Sequence, residues 1–410
     1  MKILLVTHSF GPLNKISSLR LIHWVKYWSA QGNHVTVLTT KKYKFDGDLS
    51  LETIFDSKLV DIYEVPYLNK KSVGSSIVQS NKKSVSKSLY LLRRLNQFIR
   101  GYIGSLFDIH DLWVRPAEKV GMRLVEKSKF DCIISSFSPP CTHVLASRLA
   151  KAGAIPWLAD YRDLWSDNHI GSAKFPFSII EARKELNTVG KYAKVITTVS
   201  APLAKTLQTK FQQPVEVVEN GFDPDEYKAL SFDSRIAGEG INIVYAGNIY
   251  PNRRDPEPLL DIIKSNNLNI TVHFFGPENN LIYSLEKKYR GVVKTYGNVS
   301  RREILNIMFS ADILLLLESG AQDADGVLTG KLFEYFAIER PILGIGFDNS
   351  VLLGKVLEES GAGHCFHKQH SELLNYLQNF NKLELARNKE FISKFRRDVQ
   401  AQRILDLIRC

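Results

Sequence analysis

Cysteine is scarce and unpatterned. Cys132, Cys141, Cys365 and Cys410 are the only four in 410 residues, and none stands in a C-x-x-C or His–Cys spacing. A disulfide framework is excluded, and in a chain this long the four read as reduced thiols of a cytosolic protein. Long apolar runs are missing too. The first residues, Met1-Lys2-Ile3-Leu4-Leu5-Val6-Thr7, hold only four consecutive apolar side chains. A secretory core needs ~7–15, so this stretch predicts a first β-strand. No window approaches the ~20 apolar residues that cross a bilayer, and the expectation is a soluble or peripheral protein in the cytoplasm. The ten histidines form no H-E-x-x-H or other ligand pair, so most are expected to be ordinary surface or core residues. A G-x-G-x-x-G dinucleotide fingerprint is absent, as is any repeat with the ~20–50-residue period of solenoids.

What is present is ordinary globular composition, 44% hydrophobic and 24% charged, which excludes a disordered chain. At about 100–200 residues per domain the length suggests two or three domains. Lys and Arg number 54 against 43 Asp and Glu, a formal charge of +11 that invites an anionic partner. Nucleic acid, an anionic membrane and a phosphorylated small molecule are the three classes to separate.

Short apolar runs alternate with helical stretches. Strands are expected at Ile3–Thr7, His34–Thr39, Val60–Val65, Asp131–Ser135, Trp157–Asp160 and Val195–Val199. A second series covers Ile241–Ala246, Val272–Phe275, Val292–Tyr296, Asp312–Leu317 and Pro341–Ile345. Such runs suit strands buried on both faces of a parallel sheet, with helices as crossovers. The pattern restarts after the turn-rich Asn220–Pro224 and Gly238–Gly240. The fold class is therefore α/β, with two doubly wound domains: residues 1–210, a linker at 211–240, and 241–384. A final helical stretch, 385–410, packs on its own domain or crosses back to the first.

Three places carry possible chemistry. The loop after the first strand, His8-Ser9-Phe10-Gly11-Pro12-Leu13-Asn14, precedes a helix containing Arg20, Trp24 and Trp28. A doubly wound fold presents backbone N–H groups to ligands there, although an ordinary β–α turn explains the residues equally well. In the second domain, Gly247 allows close backbone approach and Arg253 and Arg254 bring two guanidinium forks suited to phosphate. Farther on, Thr329-Gly330-Lys331-Leu332-Phe333-Glu334 predicts a helix start with Lys331 at its positive end. That placement is unfavourable without an anion. Arg253 and Lys331 would neutralise a diphosphate and Glu334 would hold a ribose; the alternative is a surface helix with a Lys–Glu pair at i, i+3. Asp323-x-Asp325 invites a magnesium reading, but its Gly/Ala-rich setting favours a solvated loop.

These pieces, with Val215–Asp223 (VEVVENGFD), Tyr245–Asn248 (YAGN), Phe274–Pro277 (FFGP), Tyr296–Val299 (YGNV) and Thr329–Ala337 followed by Arg340-Pro341, resemble glycosyltransferase family four. This is the retaining type with two Rossmann-like domains facing a central cleft, the GT-B architecture. Ser135–Pro140 (SSFSPP) and Trp157–Trp165 (WLADYRDLW) resemble its branch that builds bacterial surface polysaccharides. The resemblance implies a nucleotide-sugar donor held by Gly11, Gly247, Asn248, Arg253, Val299, Asp325, Thr329, Lys331, Leu332 and Glu334. Within that set Arg253 and Lys331 meet the diphosphate, Glu334 the ribose and backbone near Val299 the base. It implies no cofactor and no metal. The sequence departs from the family pattern at three points. Gly326, with Asp325 beside it, stands where a Glu is usual, eight residues before Glu334. Asn248 stands where an Arg is frequent, and Arg162 where many members carry a catalytic His. The catalytic candidates are accordingly Arg162, Asp160 and Lys331, with Asp160 and Asp163 alternatively pairing with Arg162.

The positive charge is local. From Val65 to Phe107 there are eight basic residues and no acidic one, and the stretch 382–409 adds eight basic against four acidic. From Ser88 onward Leu92, Leu95, Ile99, Tyr102, Ile103 and Leu106 fall within about 100° of helical arc, opposite Arg93, Gln97 and Arg100. A basic loop feeding a basic amphipathic helix suits an anionic bilayer surface, through Lys82, Lys83, Arg93, Arg94 and Arg100; domain core is the alternative use of the apolar face. Nucleic acid fits less well, since no zinc-finger, RRM-type or helix-turn-helix signature accompanies the charge. The expected function is sugar transfer from a nucleotide-sugar to a membrane-associated, lipid-linked saccharide acceptor, at the inner face of the cell membrane. The alternatives are a nucleotide-sugar epimerase and a noncatalytic nucleotide- or membrane-binding protein.

Overall fold

The computed structural model describes residues 1–43, 46–51, 55, 58–67, 102–106, 108–168, 173–249, 254–318, 326, 328–380 and 384–409. The basic candidates Lys82, Lys83, Arg93, Arg94 and Arg100, the turn residue Arg253, and Asp323 and Asp325 lie outside them.

The chain divides into two compact units, Met1–Glu219 with Arg397–Cys410, and Asn220–Arg396. In the first, the order is β1 (Lys2–Thr7), α1 (Ile16–Ala30), β2 (His34–Thr40), β3 (Val60–Val65), α2 (Val114–Lys127), β4 (Cys132–Phe137), α3 (Cys141–Gly153), β5 (Trp157–Tyr161), α4 (Phe177–Glu185), β6 (Val195–Thr198), α5 (Ala201–Lys210) and β7 (Val215–Val217). These seven strands form one parallel sheet in the order β3-β2-β1-β4-β5-β6-β7, with Leu5 opposite Val37 on one side and Ile134 on the other.

The second unit repeats the plan: β8 (Ile241–Ala246), α6 (Glu257–Ser265), β9 (Ile270–Phe275), α7 (Asn280–Lys288), β10 (Val293–Thr295), α8 (Arg301–Ser310), β11 (Ile313–Leu317), α9 (Gly330–Ile338), β12 (Ile342–Ile345), α10 (Leu352–Ser360), β13 (Gly363–Phe366), α11 (His370–Gln378) and α12 (Lys389–Ser393). Its six strands are ordered β10-β9-β8-β11-β12-β13. The last helix, α13 (Arg397–Arg409), belongs to the first unit.

The apolar runs explain the sheets. Successive side chains of a strand point to opposite faces, and here both faces are core. In β1, Leu4 and Val6 join a cluster with Ile133, Ala159 and Leu149, while Ile3 and Leu5 join Trp24, Trp28 and Ile404 on the other side. In β11, Leu314 and Leu316 face one cluster and Ile313, Leu315 and Leu317 the other. Such strands read as continuous apolar runs because no alternation is needed.

Three elements depart from the sequence expectation. β7 and β13 were not anticipated, because VEV and GHCF are short, partly polar edge segments without an apolar run. The final helical stretch, expected to be continuous from about Leu385 to Ile408, is two helices separated at residues 394–396. There the chain turns, Phe222 N–H donates to the Phe395 carbonyl at 3.0 Å, and Arg396 forms a β-bridge with Phe222 before α13 begins. α13 crosses back. Its Ala401, Ile404, Leu405 and Ile408 enter the first unit's core beside α1, and Trp28 Nε1 donates to the Ala401 carbonyl at 2.8 Å.

In each sheet the first strand is flanked by strands reached in opposite directions along the chain. The resulting switch points lie between β1 and β4 and between β8 and β11, and doubly wound folds bind ligands beyond the carboxyl ends of those strands. The carboxyl ends lead to His8 and Ser138 in the first unit, and to Gly247 and Glu318 in the second.

Candidate functional site

Gly247 follows β8 directly. Its φ of +133° is open to glycine and strained for other residues. Its N–H donates to the Phe275 carbonyl at 2.7 Å, which extends the β8–β9 ladder one step before the chain turns away. A Cβ placed on Gly247 would stand 2.7 Å from Lys331 Nζ. The missing side chain is thus what lets the Lys331 ammonium reach the backbone at the strand end.

Lys331 comes from the first turn of α9. Thr329 precedes that helix in extended conformation, but its side chain makes no capping bond, and the first turn carries no acid. Tyr335 ties α9 to the sheet by donating to the Leu315 carbonyl at 3.0 Å. The helix thereby delivers its free N–H groups and the Lys331 side chain to the switch point, as the sequence anticipates. Lys331 Nζ sits 3.8 Å from the centroid of the Tyr245 ring. It is buried and has no hydrogen-bond partner among the described residues. Burial, and then the nearby Arg254 guanidinium, push its pKa down to about 7, while Glu318 and Glu334 pull the other way. An ammonium held dry without an acceptor is costly to the free protein. Beside an uncapped helix start, such an ammonium is electrostatically suited to an anion with several oxygens.

The other second-unit candidates surround this point with different degrees of commitment. Arg254 pairs with Glu318 at 3.2 Å. Asn248 is exposed, and its carbonyl accepts from Tyr245 Oη at 2.7 Å. Val299 is half-buried after β10, packed against the core. Leu332 is fully buried, and its N–H donates to the Thr329 carbonyl at 3.2 Å. The pairing weighed for Glu334 is corrected: its partner is Arg301, at 2.6 Å, and not Lys331. Arg301 also pairs with Glu226 at 3.0 Å. Burial disfavours the Arg301 charge, yet Glu334 first and then Tyr227 and Glu226 outweigh it and raise its pKa. One Glu334 oxygen, Oε2, accepts no protein hydrogen bond among the described residues.

In the first unit the carboxyl end of the sheet holds a buried polar network. Asp160, with no exposed surface, accepts from Arg20 at 3.1 Å, Thr197 at 3.1 Å and Ser136 at 2.9 Å. The expected Asp160–Arg162 pair is therefore replaced by Asp160–Arg20. Arg162 ion-pairs with neither Asp160 nor Asp163; its Nε donates to Ser136 Oγ at 3.2 Å and its terminal nitrogen reaches the Ser138 carbonyl at 3.4 Å. Burial lowers its pKa, against the pull of Asp160 and Asp163. Gly11 is buried in the loop after β1, where an added Cβ would meet Ile22 at 3.0 Å.

Beside this loop lies a cavity of about 310 Å³ lined by His8, Ser9, Tyr67, His110, Ser138 and Pro139, among others. The Tyr67 hydroxyl bonds to both His8 Nε2 and, at 2.8 Å, His110 Nδ1. A phenol has one proton, so it donates to one imidazole and accepts from the other. Burial, reinforced by Cys141 and nearby carboxylates, raises the Tyr67 pKa, which keeps that proton in place. Tyr67, His110, Arg20 and Arg301 were not found as site residues by sequence reasoning. Each meets its partners from a distant element, and no local spacing marks such a meeting.

No family model matches the sequence, and no curated protein matches it. Solved structures match in fold. Anabaena HepE in complex with UDP gives a TM-score of 0.63 at 15% identity, over 100% of both chains. Sucrose-phosphate synthase from Thermosynechococcus elongatus gives 0.64 at 13% identity, over 100% of this chain and 98% of that one. The UDP-GlcNAc 2-epimerase of Methanocaldococcus jannaschii gives 0.54 at 11% identity, over 100% and 99%. Identities this low speak for the fold and leave the chemistry to the site. Two parallel doubly wound α/β sheets, matched along the whole chain, give this protein the fold of the GT-B glycosyltransferases.

Proposed function

We propose that the chain is a retaining glycosyltransferase resembling family four, which moves a sugar from a nucleotide-sugar donor to a membrane-associated, lipid-linked saccharide acceptor in surface-polysaccharide assembly. The observation that carries this reading is the buried Lys331 ammonium, without a hydrogen-bond partner among the described residues, set against Gly247 and the uncapped start of α9. Cleaving a sugar–phosphate bond puts negative charge on the departing diphosphate, and preorganised cations and N–H dipoles stabilise that charge as it develops. Lys331 and the α9 N-terminus hold the diphosphate, with Gly247 and the Thr329–Gly330 backbone close to its oxygens. Arg253 and Asp325 complete the donor end. Glu334 Oε2 accepts from ribose hydroxyls while Oε1 stays with Arg301, and backbone near Val299 flanks the base. In the first unit Gly11 belongs to the donor set by the family resemblance, and Arg162 takes the place of the family's histidine. Asp160 holds that wall through its hydrogen bonds. The acceptor saccharide enters the cavity beside His8, Tyr67 and His110, whose polar rim suits hydroxyl groups.

The deciding experiment incubates the purified protein with a panel of nucleotide-sugars, with and without a membrane lipid extract. Release of nucleoside diphosphate only when lipid is present supports transfer. Conversion of the sugar without lipid moves the assignment to an epimerase, like the similarly folded UDP-GlcNAc 2-epimerase of Methanocaldococcus jannaschii. Binding without turnover leaves a noncatalytic nucleotide-binding protein.

Gly247→Ala gives a sharper test of the geometry. The new methyl group falls on Lys331 Nζ, and the +133° φ becomes strained. Affinity for UDP in calorimetry should fall at least about tenfold, or ~1.4 kcal/mol. An unchanged affinity would remove Gly247 from the site.

A further inference from the structure

α4 is built inside out. Its two acids, Glu181 and Glu185, are 1% and 0% exposed, whereas its isoleucines Ile179 and Ile180 are 57% and 53% exposed. The inward carboxylates are fully used. Glu181 accepts from the Ser105 N–H at 2.7 Å, the Ser105 hydroxyl at 2.5 Å and the Ala173 N–H at 3.0 Å. Glu185 accepts from Tyr161 at 3.0 Å, Ser166 at 2.6 Å and Lys210 at 2.9 Å. A helix that only had to face water would turn those residues the other way, since isoleucines belong in the core and carboxylates in solvent.

The outward face extends beyond the helix. Phe175 is 76% exposed just before it and Leu186 is 40% exposed just after it. Lys174 and Arg183 are the exposed charges on this stretch, and α4 exposes no acid. The patch continues onto neighbouring chain. The Lys174 N–H donates to the Tyr102 carbonyl at 2.8 Å, and the Tyr102 ring meets Phe177 edge-on with centroids 6.2 Å apart. On another side Lys184 pairs with Asp111 at 3.4 Å, next to the exposed Ile109 and Leu112. A contiguous apolar surface of this kind on a folded domain marks an interaction site.

We infer that the exposed face of α4, with Phe175, Ile179, Ile180 and Leu186 flanked by Lys174 and Arg183, is the surface by which this protein docks on an anionic lipid bilayer. Apolar side chains enter the acyl boundary of the membrane while the cations meet phosphate headgroups. Withdrawing Glu181 and Glu185 into the interior removes the only charges on the helix that such a surface would repel. A second copy of the chain fits less well. A two-fold pair sets the same patch against itself, which would bring Lys174 and Arg183 toward their own counterparts.

The inference deepens the membrane-acceptor part of the proposed function, and its test reads binding and not turnover. Full-length protein is sedimented with vesicles of phosphatidylcholine alone or mixed with phosphatidylglycerol, beside calorimetry with UDP. Wild type should co-sediment with the phosphatidylglycerol vesicles and lose that binding as salt rises. Ile179→Glu/Ile180→Glu should weaken vesicle binding more than tenfold with UDP affinity unchanged. Lys174→Glu/Arg183→Glu, which leaves the apolar face intact, should also weaken it and abolish the preference for phosphatidylglycerol. The inference is overturned if wild type ignores both vesicles, if both variants sediment like wild type, or if wild type instead dimerises through this face. Failure of UDP to bind wild type would sink the donor reading alone.

Discussion

Lys331→Met is expected to weaken UDP binding about 100-fold, or ~3 kcal/mol, and at the same time to raise the Tm of the free protein by a few degrees. The first effect follows because truncating one partner of a desolvated, hydrogen-bonded charge pair costs about 2–5 kcal/mol of binding. The second follows because that buried ammonium has no acceptor among the described residues, and methionine fills the space beside Tyr245 with no such cost. A site that is a stability liability until its ligand arrives gives this opposite pair of signs. A structural lysine would lower both quantities.

The same group predicts a pH dependence. The folded-state pKa of Lys331 is lowered from 10.5 to about 7. Between those values the unfolded chain keeps a proton that the folded, unliganded protein has lost. The unfolded state therefore binds more protons, and stability rises with pH across that window. A diphosphate favours the ammonium form, so binding takes up a proton above about pH 7. Affinity should then fall by about tenfold per pH unit through the next unit or more. Calorimetry at about pH 8 in buffers of different ionisation enthalpy reads the uptake directly. Identical heats in all buffers would contradict it, and Lys331→Met should show no uptake.

The second large effect concerns stability. Arg20→Met should destabilise the first unit by about 3–5 kcal/mol, because it leaves Asp160 buried with its charge unpaired. Arg20 and Asp160 are 2% and 0% exposed, and Arg20 also donates to the carbonyls of Val218 at 2.8 Å and Glu219 at 2.5 Å. Asp160→Asn combined with Arg20→Met should cost less than the single Arg20→Met change, since the residual buried charge is gone. Arg162→Ala should shift the urea midpoint far less, because it removes only longer bonds to Ser136 and the Ser138 carbonyl. If all three variants unfold at the wild-type midpoint, the network does not hold this wall together.

Sequence pattern revealed the fold where burial is two-sided. Strands such as β1 and β11 announce themselves by four or five consecutive apolar residues, and the paired series exposed the two-unit plan. The pattern failed at β7 and β13, where an edge strand has one neighbour and tolerates polar residues. The site was legible in part for a related reason. Gly247 and Lys331 stand out within short local stretches, as a glycine after a strand and a cation at a helix start. Glu334 was legible but its partner was not, since Arg301 arrives from α8 and spacing favoured Lys331. The network of Arg20 and Asp160 joins residues 140 positions apart, and the outward isoleucines of α4 look in sequence like any core pair. Which face of a helix turns inward is a tertiary decision, made there by hydrogen-bond donors at Ser105, Ala173 and Lys210.

The return of α13 has a consequence for synthesis. Residues 397–409 supply part of the first unit's core, and Arg409 reaches Met1, with Nε 3.4 Å from its sulfur. On the ribosome the opening strands must wait, with one helix-sized apolar groove beside α1 uncovered, while all of 220–396 is made. The second unit has every one of its own elements before the first does. The half of the chain that is translated first is therefore the half that closes last.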